Sequence, residues 1–173
     1  MICVASIPHS GSHFVVNTIG YPLRNGPHGG NAKVQNLWHV YPGESLDTIK
    51  ARVEAGWHLV VPMRSPRAIA QSWANRGKPI LPHPVHNCLL ELVRNLIHII
   101  APLGPLYLPV DVPDREKYLK RLNQALREDF RTDWVPAAHH EPIGGRNATL
   151  SDAERLAVEE LIDDPFFRRF GYA

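Results

Sequence analysis

Short apolar runs alternate along the chain with longer stretches in which apolar positions recur every three or four residues. A short apolar run bounded by turn residues predicts a β-strand, and the helical spacing predicts an amphipathic helix. The predicted strands are Ile2–Ile7, Asn36–Tyr41, Trp57–Met63 and Leu106–Val110. The predicted helices are Ser12–Ile19, Ser45–Ala55, Pro66–Asn75, Asn87–Ala101, Asp114–Phe130 and Ser151–Ile162. This alternation predicts an α/β fold, a three-layer sandwich with a central parallel sheet.

The segments between these elements are rich in Gly, Pro, Asn and His. Residues 20–35, 77–86 and 131–150 are therefore predicted to be loops. The aromatic tail, Pro165–Tyr172, is predicted to pack back onto the core. The sequence contains no internal repeat and no linker, so residues 1–173 are predicted to form one domain.

Composition narrows the classes of function. The net charge is only +2, which does not indicate non-specific binding of nucleic acid. Cys3 and Cys88 lie in apolar contexts and are expected to be buried thiols, not a disulfide framework. The longest apolar stretch, Leu89–Leu103, contains Glu91 and Arg94, so we expect a buried helix and not a membrane span. Since the first strand begins at residue 2, no room for a signal peptide is expected, and we predict a cytoplasmic protein.

The loop after the first strand is a candidate anion site. It spans residues 8–13, with the sequence PHSGSH, and leads into a predicted helix. Backbone N–H groups and the positive end of a helix dipole converge at such a turn. Gly11 allows close approach of a ligand to the backbone, and the serines and histidines around it are potential donors. The same residues also suit an ordinary strand-to-helix turn, and the Walker A pattern with its lysine is absent.

A second candidate anion site follows the third strand. Arg64 ends that strand, so its guanidinium is expected at the carboxyl edge of the sheet. Ser72 lies eight residues later, two turns into the next helix. A guanidinium with a nearby hydroxyl suits a phosphate monoester. The alternative is that Arg64 pairs with a carboxylate such as Asp111 and that Ser72 is small only for packing.

Together the two loops resemble those of a known family, the sulfotransferases that use 3′-phosphoadenosine 5′-phosphosulfate (PAPS). The family's first loop reads roughly PKSGTTW, and residues 8–14 of this chain read PHSGSHF. The family's second motif is an Arg at the end of the third strand, then x-Pro, then a Ser eight residues after the Arg. Arg64, Pro66 and Ser72 have that spacing. More weakly, Leu106–Val112 resembles the family's fourth strand and the turn after it.

The resemblance implies a P-loop-like sulfotransferase domain that transfers a sulfuryl group from PAPS, without a metal, to a hydroxyl or amine. The residues implied to bind PAPS are His9, Ser10, Gly11, Ser12, His13, Phe14, Arg64, Ser72 and Arg146. The implied partners are this nucleotide and an unknown small-molecule or glycan acceptor, with no nucleic acid and no membrane.

Two histidines are the candidate catalytic residues. His9 stands where the family has a lysine, and it can replace that lysine only as an imidazolium. Transfer activity is therefore expected to fall as the pH rises past neutrality, and His9→Lys is expected to retain or raise it. His39 resembles the family's catalytic histidine and is the candidate base, with Glu44 as the substitute. A partly exposed loop histidine remains the alternative for His39.

Two other functions stay open at this point. One is a P-loop phosphotransferase that has lost its lysine, and the other is a non-catalytic nucleotide-binding protein. The replacement of the lysine by His9 and the short chain favour the second of these. The run His139-His140-Glu141 lacks the further ligand spacing that a metal site requires.

Overall fold

Four of the apolar runs form one parallel sheet in the computed structural model, which describes residues 1–10, 15, 34–127 and 148–172. The strands are β1 (Ile2–Ser6), β2 (Val34–His39), β3 (His58–Met63) and β4 (Leu106–Pro109), and their order across the sheet is β2-β1-β3-β4. All three neighbouring pairs are parallel. The chain is therefore an α/β protein with a parallel sheet, as the alternation of strands and helices predicted.

The strand order reverses direction between β1 and β3. From β1 the chain passes to β2 on one side, and then to β3 and β4 on the other. Ligands of parallel α/β sheets bind beyond the carboxyl ends of the strands at such a reversal. The pairing of β1 with β3 also ends at Val4–Val60, before Pro62, which has no amide N–H to donate. The two strands therefore separate towards this carboxyl edge.

Alternate residues of the strands enter two different apolar clusters. Cys3, Ala5 and Ile7 belong to a large cluster, whereas Ile2 and Val4 belong to a smaller one. Since successive side chains of a strand point to opposite faces, the two clusters cover opposite faces of the sheet. Both faces of β1 are buried, which explains why its sequence is a continuous apolar run.

Six α-helices pack against this sheet in the described part of the chain. They are α1 (Glu44–Glu54), α2 (Pro66–Ala74), α3 (Leu89–Asn95), α4 (Arg115–Leu126), α5 (Asp152–Asp163) and α6 (Pro165–Arg168). Helix α4 supplies Leu119 and Leu122 to the smaller cluster, and the other helices contribute to the larger one. A capping box starts α5, because the Ser151 hydroxyl accepts from the Glu154 amide and the Glu154 carboxylate accepts from the Ser151 amide. None of the described helices is long and apolar enough to cross a membrane.

Several predicted boundaries were wrong. Strand β2 begins at Val34, inside the predicted loop 20–35, and ends at His39 instead of Tyr41. The helix predicted over Asn87–Ala101 is α-helical only to Asn95 and continues as a π-helix (Leu96–Ile100) and a 3-10 turn (Ala101–Leu103). Pro102 cannot donate the amide that an α-helix would direct to the carbonyl four residues earlier. Helix α4 ends at Leu126, before the predicted Phe130, and Arg127 adopts a left-handed conformation with φ 51°.

Other predictions are confirmed. Phe166, Phe167, Phe170 and Tyr172 of the tail are all buried against the large cluster. Cys3 and Cys88 are buried free thiols. Of the helix predicted after β1, only Val15 is described, and it is helical and buried; the rest of that prediction lies outside the described residues.

Candidate functional site

A tight turn carries the chain away from β1 at the carboxyl edge. The Ser10 amide donates to the Ile7 carbonyl at 3.1 Å, which closes a four-residue turn with Pro8 and His9 at its centre. Proline suits the first central position of a type II turn, and the second requires a positive φ. His9 has φ 69°, a conformation that glycine or asparagine usually adopts. This turn exposes the His9 carbonyl to the neighbouring strands.

Trp73 of α2 is hydrogen-bonded to this turn. Its indole Nε1 donates to the Pro8 carbonyl at 3.0 Å, and its side chain is only 1% exposed. Trp73 is thus a core residue that ties α2 to the turn.

We expect Trp73→Phe to lower the free energy of unfolding by about 2–3 kcal/mol, because a buried carbonyl loses its donor and the smaller ring leaves a void. Urea denaturation measures this loss. Trp57→Phe is the matched control, since Trp57 is also buried but its ring lies under the Arg52 guanidinium at 4.4 Å. A loss no larger than that of the control would contradict a structural role for the Nε1 bond.

Arg64 bridges the gap between β3 and β1. It follows the last residue of β3, and its Nη1 donates to the His9 carbonyl at 3.3 Å. Its Nε lies 4.0 Å from Oδ2 of Asp111, and its side chain is 38% exposed. The loops after β1 and β3 therefore meet, and Arg64 is not enclosed in a buried ion pair. The predicted alternative, a pairing with Asp111, is present only as this long contact.

A cationic cluster, consisting of Arg64, Arg76 and Lys78, surrounds His9. Burial lowers the pKa of His9 to about 4, and the charges of Arg76, Lys78, His39 and Arg64 act in the same direction. His9 is thus a neutral imidazole at pH 7 in the protein without ligand. To replace the lysine that the resembled sulfotransferases have at this position, it would have to be an imidazolium. The low pKa of His9 reflects its burial first and the neighbouring positive charges second.

Two buried polar atoms at this turn have no hydrogen-bond partner among the described residues. They are Nε2 of His9 and Oγ of Ser10, and the Ser10 side chain is 2% exposed. Buried polar atoms in native proteins are nearly always hydrogen-bonded, so each exception calls for an explanation. Beside three cations, an oxyanion ligand that accepts from both atoms is the simplest explanation.

Ser72 lies beside Arg76 and makes no described contact with Arg64. Arg76 Nη1 donates to Ser72 Oγ at 2.6 Å and to the Ser72 carbonyl at 3.1 Å. The motif spacing predicted the guanidinium of Arg64 beside this hydroxyl. The helical spacing of four residues from Ser72 to Arg76 was the signal that could have identified Arg76 as the partner.

The chain that follows Arg146 is attached to the same end of α2. The Ala148 amide donates to Oδ1 of Asn75 at 3.1 Å, and Gln71 Nε2 donates to the Ala148 carbonyl at 2.8 Å. Arg146 itself lies outside the described residues, as do Gly11, Ser12, His13 and Phe14, so their roles stay predictions.

His39 ends β2 opposite the last residue of β1. Its Nδ1 lies 3.0 Å from Oγ of Ser6, its ring packs edge-on against Tyr41 at 5.7 Å, and its carbonyl accepts from the Ser45 hydroxyl. These contacts orient the imidazole at the same edge as the cationic cluster. Glu44, the substitute base, is the first residue of α1 and is exposed.

No group of three or more potential metal ligands occurs in the part of the chain that the structure describes, and His139-His140-Glu141 lies outside it. No protein-family model, curated protein or solved structure matches the chain. The function is therefore inferred from the motifs in the sequence and from the geometry of this edge.

Proposed function

We propose that the chain binds PAPS at the carboxyl ends of β1 and β3 and transfers its sulfuryl group to a hydroxyl or amine acceptor. One observation carries this proposal. The Arg64 guanidinium lies against the turn after β1, where His9 Nε2 and Ser10 Oγ are buried without a partner among the described residues and Arg76 and Lys78 add positive charge.

The strand order of the sheet favours a ligand site at the carboxyl ends of β1 and β3. In the proposed fold, a three-layer P-loop-like sandwich, the crevice lies between β1 and β3, where the strand order reverses. A nucleotide with phosphates at both its 3′ and 5′ positions carries two anionic groups, and this edge offers two groups of donors. Ser10 and His9 follow β1, and the Ser72–Arg76 pair lies on α2.

Sulfuryl transfer requires in-line positioning of the acceptor, stabilisation of the charge on the leaving phosphate, and a base for the acceptor proton. His39 takes the proton from the acceptor atom as that atom forms its bond to sulfur. The bond from sulfur to the bridging oxygen breaks, its electron pair stays with the nucleotide, and the cationic cluster stabilises the resulting charge. For this role His39 must direct Nδ1–H to Ser6 Oγ, because the lone pair used as the base is then on Nε2.

A second candidate is a nucleotide-binding protein without transferase activity. The low pKa of His9 favours it, since a neutral imidazole offers no charge to a leaving phosphate. The bound nucleotide would have to raise this pKa by about 3 units to protonate the ring at neutral pH, which costs about 4 kcal/mol of binding energy.

Thermal shift separates these functions from the phosphotransferase. We expect 3′-phosphoadenosine 5′-phosphate to raise the melting temperature without magnesium, because a ligand of the folded state stabilises it. Its 2′,5′ isomer is the matched control, with the same charge in the wrong place. Stabilisation by ATP with magnesium alone would indicate a phosphotransferase, and equal shifts with both isomers would contradict recognition of the 3′-phosphate.

A transfer assay then separates the first two functions. Purified protein is incubated with PAPS and a panel of phenol, sugar and amine acceptors, and the release of 3′-phosphoadenosine 5′-phosphate is followed. Acceptor-dependent release that His39→Gln removes supports transfer. Tight nucleotide binding without release from any acceptor supports the binding protein.

A further inference from the structure

Lys78 carries a positive charge that has no acidic partner among the described residues. It lies just beyond the end of α2 and is partly buried, and its backbone amide donates to the Trp73 carbonyl at 3.0 Å. None of the ion pairs between described residues includes its ammonium, whereas Arg67 of α2 pairs with Glu159. A partly buried charge without a counter-charge is costly, so this ammonium is a candidate partner for an anionic ligand.

The Trp73 ring positions this ammonium at the turn after β1. Nζ of Lys78 lies 5.4 Å from the centroid of the ring, within the range of a cation–π contact. Nε1 of the same ring donates to the Pro8 carbonyl at 3.0 Å. One buried indole thus contacts the turn with its edge and the ammonium with its face, and this brings Lys78 to the turn.

The other two cations at the turn are less free to reach a ligand there. Arg76 Nη1 donates to both the hydroxyl and the carbonyl of Ser72, at 2.6 and 3.1 Å. Arg64 Nη1 donates to the His9 carbonyl at 3.3 Å. The stem of a lysine is flexible, and Lys78 has only its contact with the Trp73 face to give up. Lys78 can therefore advance towards a ligand without breaking a hydrogen bond of its side chain.

The turn itself contains polar atoms that lack partners. Ser10 Oγ and His9 Nε2 are buried without a hydrogen-bond partner among the described residues, and Ser10 is only 2% exposed. Both groups can donate to an oxyanion, but neither carries a charge at neutral pH, since burial and then the neighbouring cations lower the pKa of His9 to about 4. An anion bound to two neutral donors in a buried place needs a cation from another segment.

We propose that Lys78 is the residue that neutralises an oxyanion bound at Ser10 Oγ and His9 Nε2, and that the Trp73 face holds its ammonium in the protein without ligand. This inference rests on the proposed function for the identity of the ligand, where the oxyanion is one anionic end of the nucleotide. The geometry itself requires only an oxyanion at the turn.

Inorganic sulfate is the probe, and calorimetric titration at about pH 8 and constant ionic strength measures its affinity while His9 is neutral. We expect Lys78→Met to weaken sulfate binding by roughly 10-fold to 100-fold, because a hydrogen bond between two charged groups is lost. Lys78→Arg keeps the charge and should retain most of the affinity. Lys120→Met is the matched control, since it removes the same charge from an exposed lysine of α4, which packs on the opposite face of the sheet.

The pKa of His9 gives a second readout, which a purely structural role of Lys78 would not change. Lys78→Met is expected to raise this pKa in the protein without sulfate, because a neighbouring positive charge is removed. NMR titration of the His9 imidazole measures it. Urea denaturation shows whether the variant is folded, and Lys78→Gln repeats both measurements with an uncharged polar side chain if methionine disturbs the fold.

The outcomes separate the two proposals. A loss of sulfate affinity in Lys78→Met no larger than that in Lys120→Met, or an unchanged pKa of His9, overturns this inference even if 3′-phosphoadenosine 5′-phosphate binds. Sulfate binding that depends on Lys78, without binding of the nucleotide, supports the inference and overturns the nucleotide function. If neither sulfate nor the nucleotide binds, both proposals are wrong.

Discussion

Replacing Arg64 with alanine is expected to weaken binding of 3′-phosphoadenosine 5′-phosphate by about 2–4 kcal/mol, which is roughly 30-fold to 700-fold in Kd. The guanidinium is the group that reaches the turn after β1 from the end of β3, and its side chain is 38% exposed. The folded state should lose little, because the bond to the His9 carbonyl is long at 3.3 Å and the Asp111 contact is longer. Isothermal titration calorimetry measures the affinity, and urea denaturation measures the stability.

Arg67→Ala is the matched control for this experiment. Arg67 lies three residues further on, but it faces α5, where its Nε and Nη2 bond to the two carboxylate oxygens of Glu159 at 2.9 and 2.5 Å. Its loss should affect only this surface ion pair and leave the nucleotide affinity unchanged. Arg64→Lys should recover part of the affinity, since it keeps the charge and loses the fork. Equal losses in Arg64→Ala and Arg67→Ala would mean that Arg64 contributes only net charge.

The parts of the fold that local rules determine could be read from the sequence. The apolar run of β1 predicts a strand buried on both faces, and the Ser151–Glu154 capping box predicts the start of α5. The π-helical continuation of α3 could not be predicted, because several apolar residues at Leu96–Ile100 fit any helical spacing equally well. The left-handed end of α4 at Arg127 could not be predicted either, because glycine or asparagine usually occupies such a position.

The site was only partly predictable because its key contacts join distant parts of the chain. Arg64 at the carboxyl edge follows from a strand ending there, so its place near the first loop could be expected. The pairing of Ser72 with Arg76 in place of Arg64 depends on how α2 is rotated against the sheet, which a single sequence does not reveal. The low pKa of His9 depends first on its burial and then on four neighbouring charges from three separate segments, and no local pattern predicts that combination.

His9 links the stability of the protein to pH, and the direction follows from its pKa. Burial and neighbouring cations lower that pKa from 6.5 to about 4 in the folded protein. Between these two values the unfolded chain binds a proton at His9 and the folded chain does not. We therefore expect the free energy of unfolding to fall as the pH drops through this window, by up to about 3 kcal/mol. Urea denaturation across the window, compared with His9→Asn, isolates the contribution of this residue, and asparagine also tolerates the positive φ.

Anion binding is expected to reverse this preference, because a bound oxyanion near Nε2 favours the imidazolium. Binding should then take up a proton, and affinity should rise by up to about tenfold for each pH unit between about 7 and 4. Sulfate is the suitable probe, since it does not titrate in this range. Calorimetry in buffers of different ionisation enthalpy measures the proton uptake directly. His9→Asn should abolish it, and His9→Lys should bind sulfate tightly with no pH dependence in this range. If His9→Asn takes up the same number of protons, another group is responsible for the uptake. His9 would then not replace the lysine that the resembled sulfotransferases have in this loop.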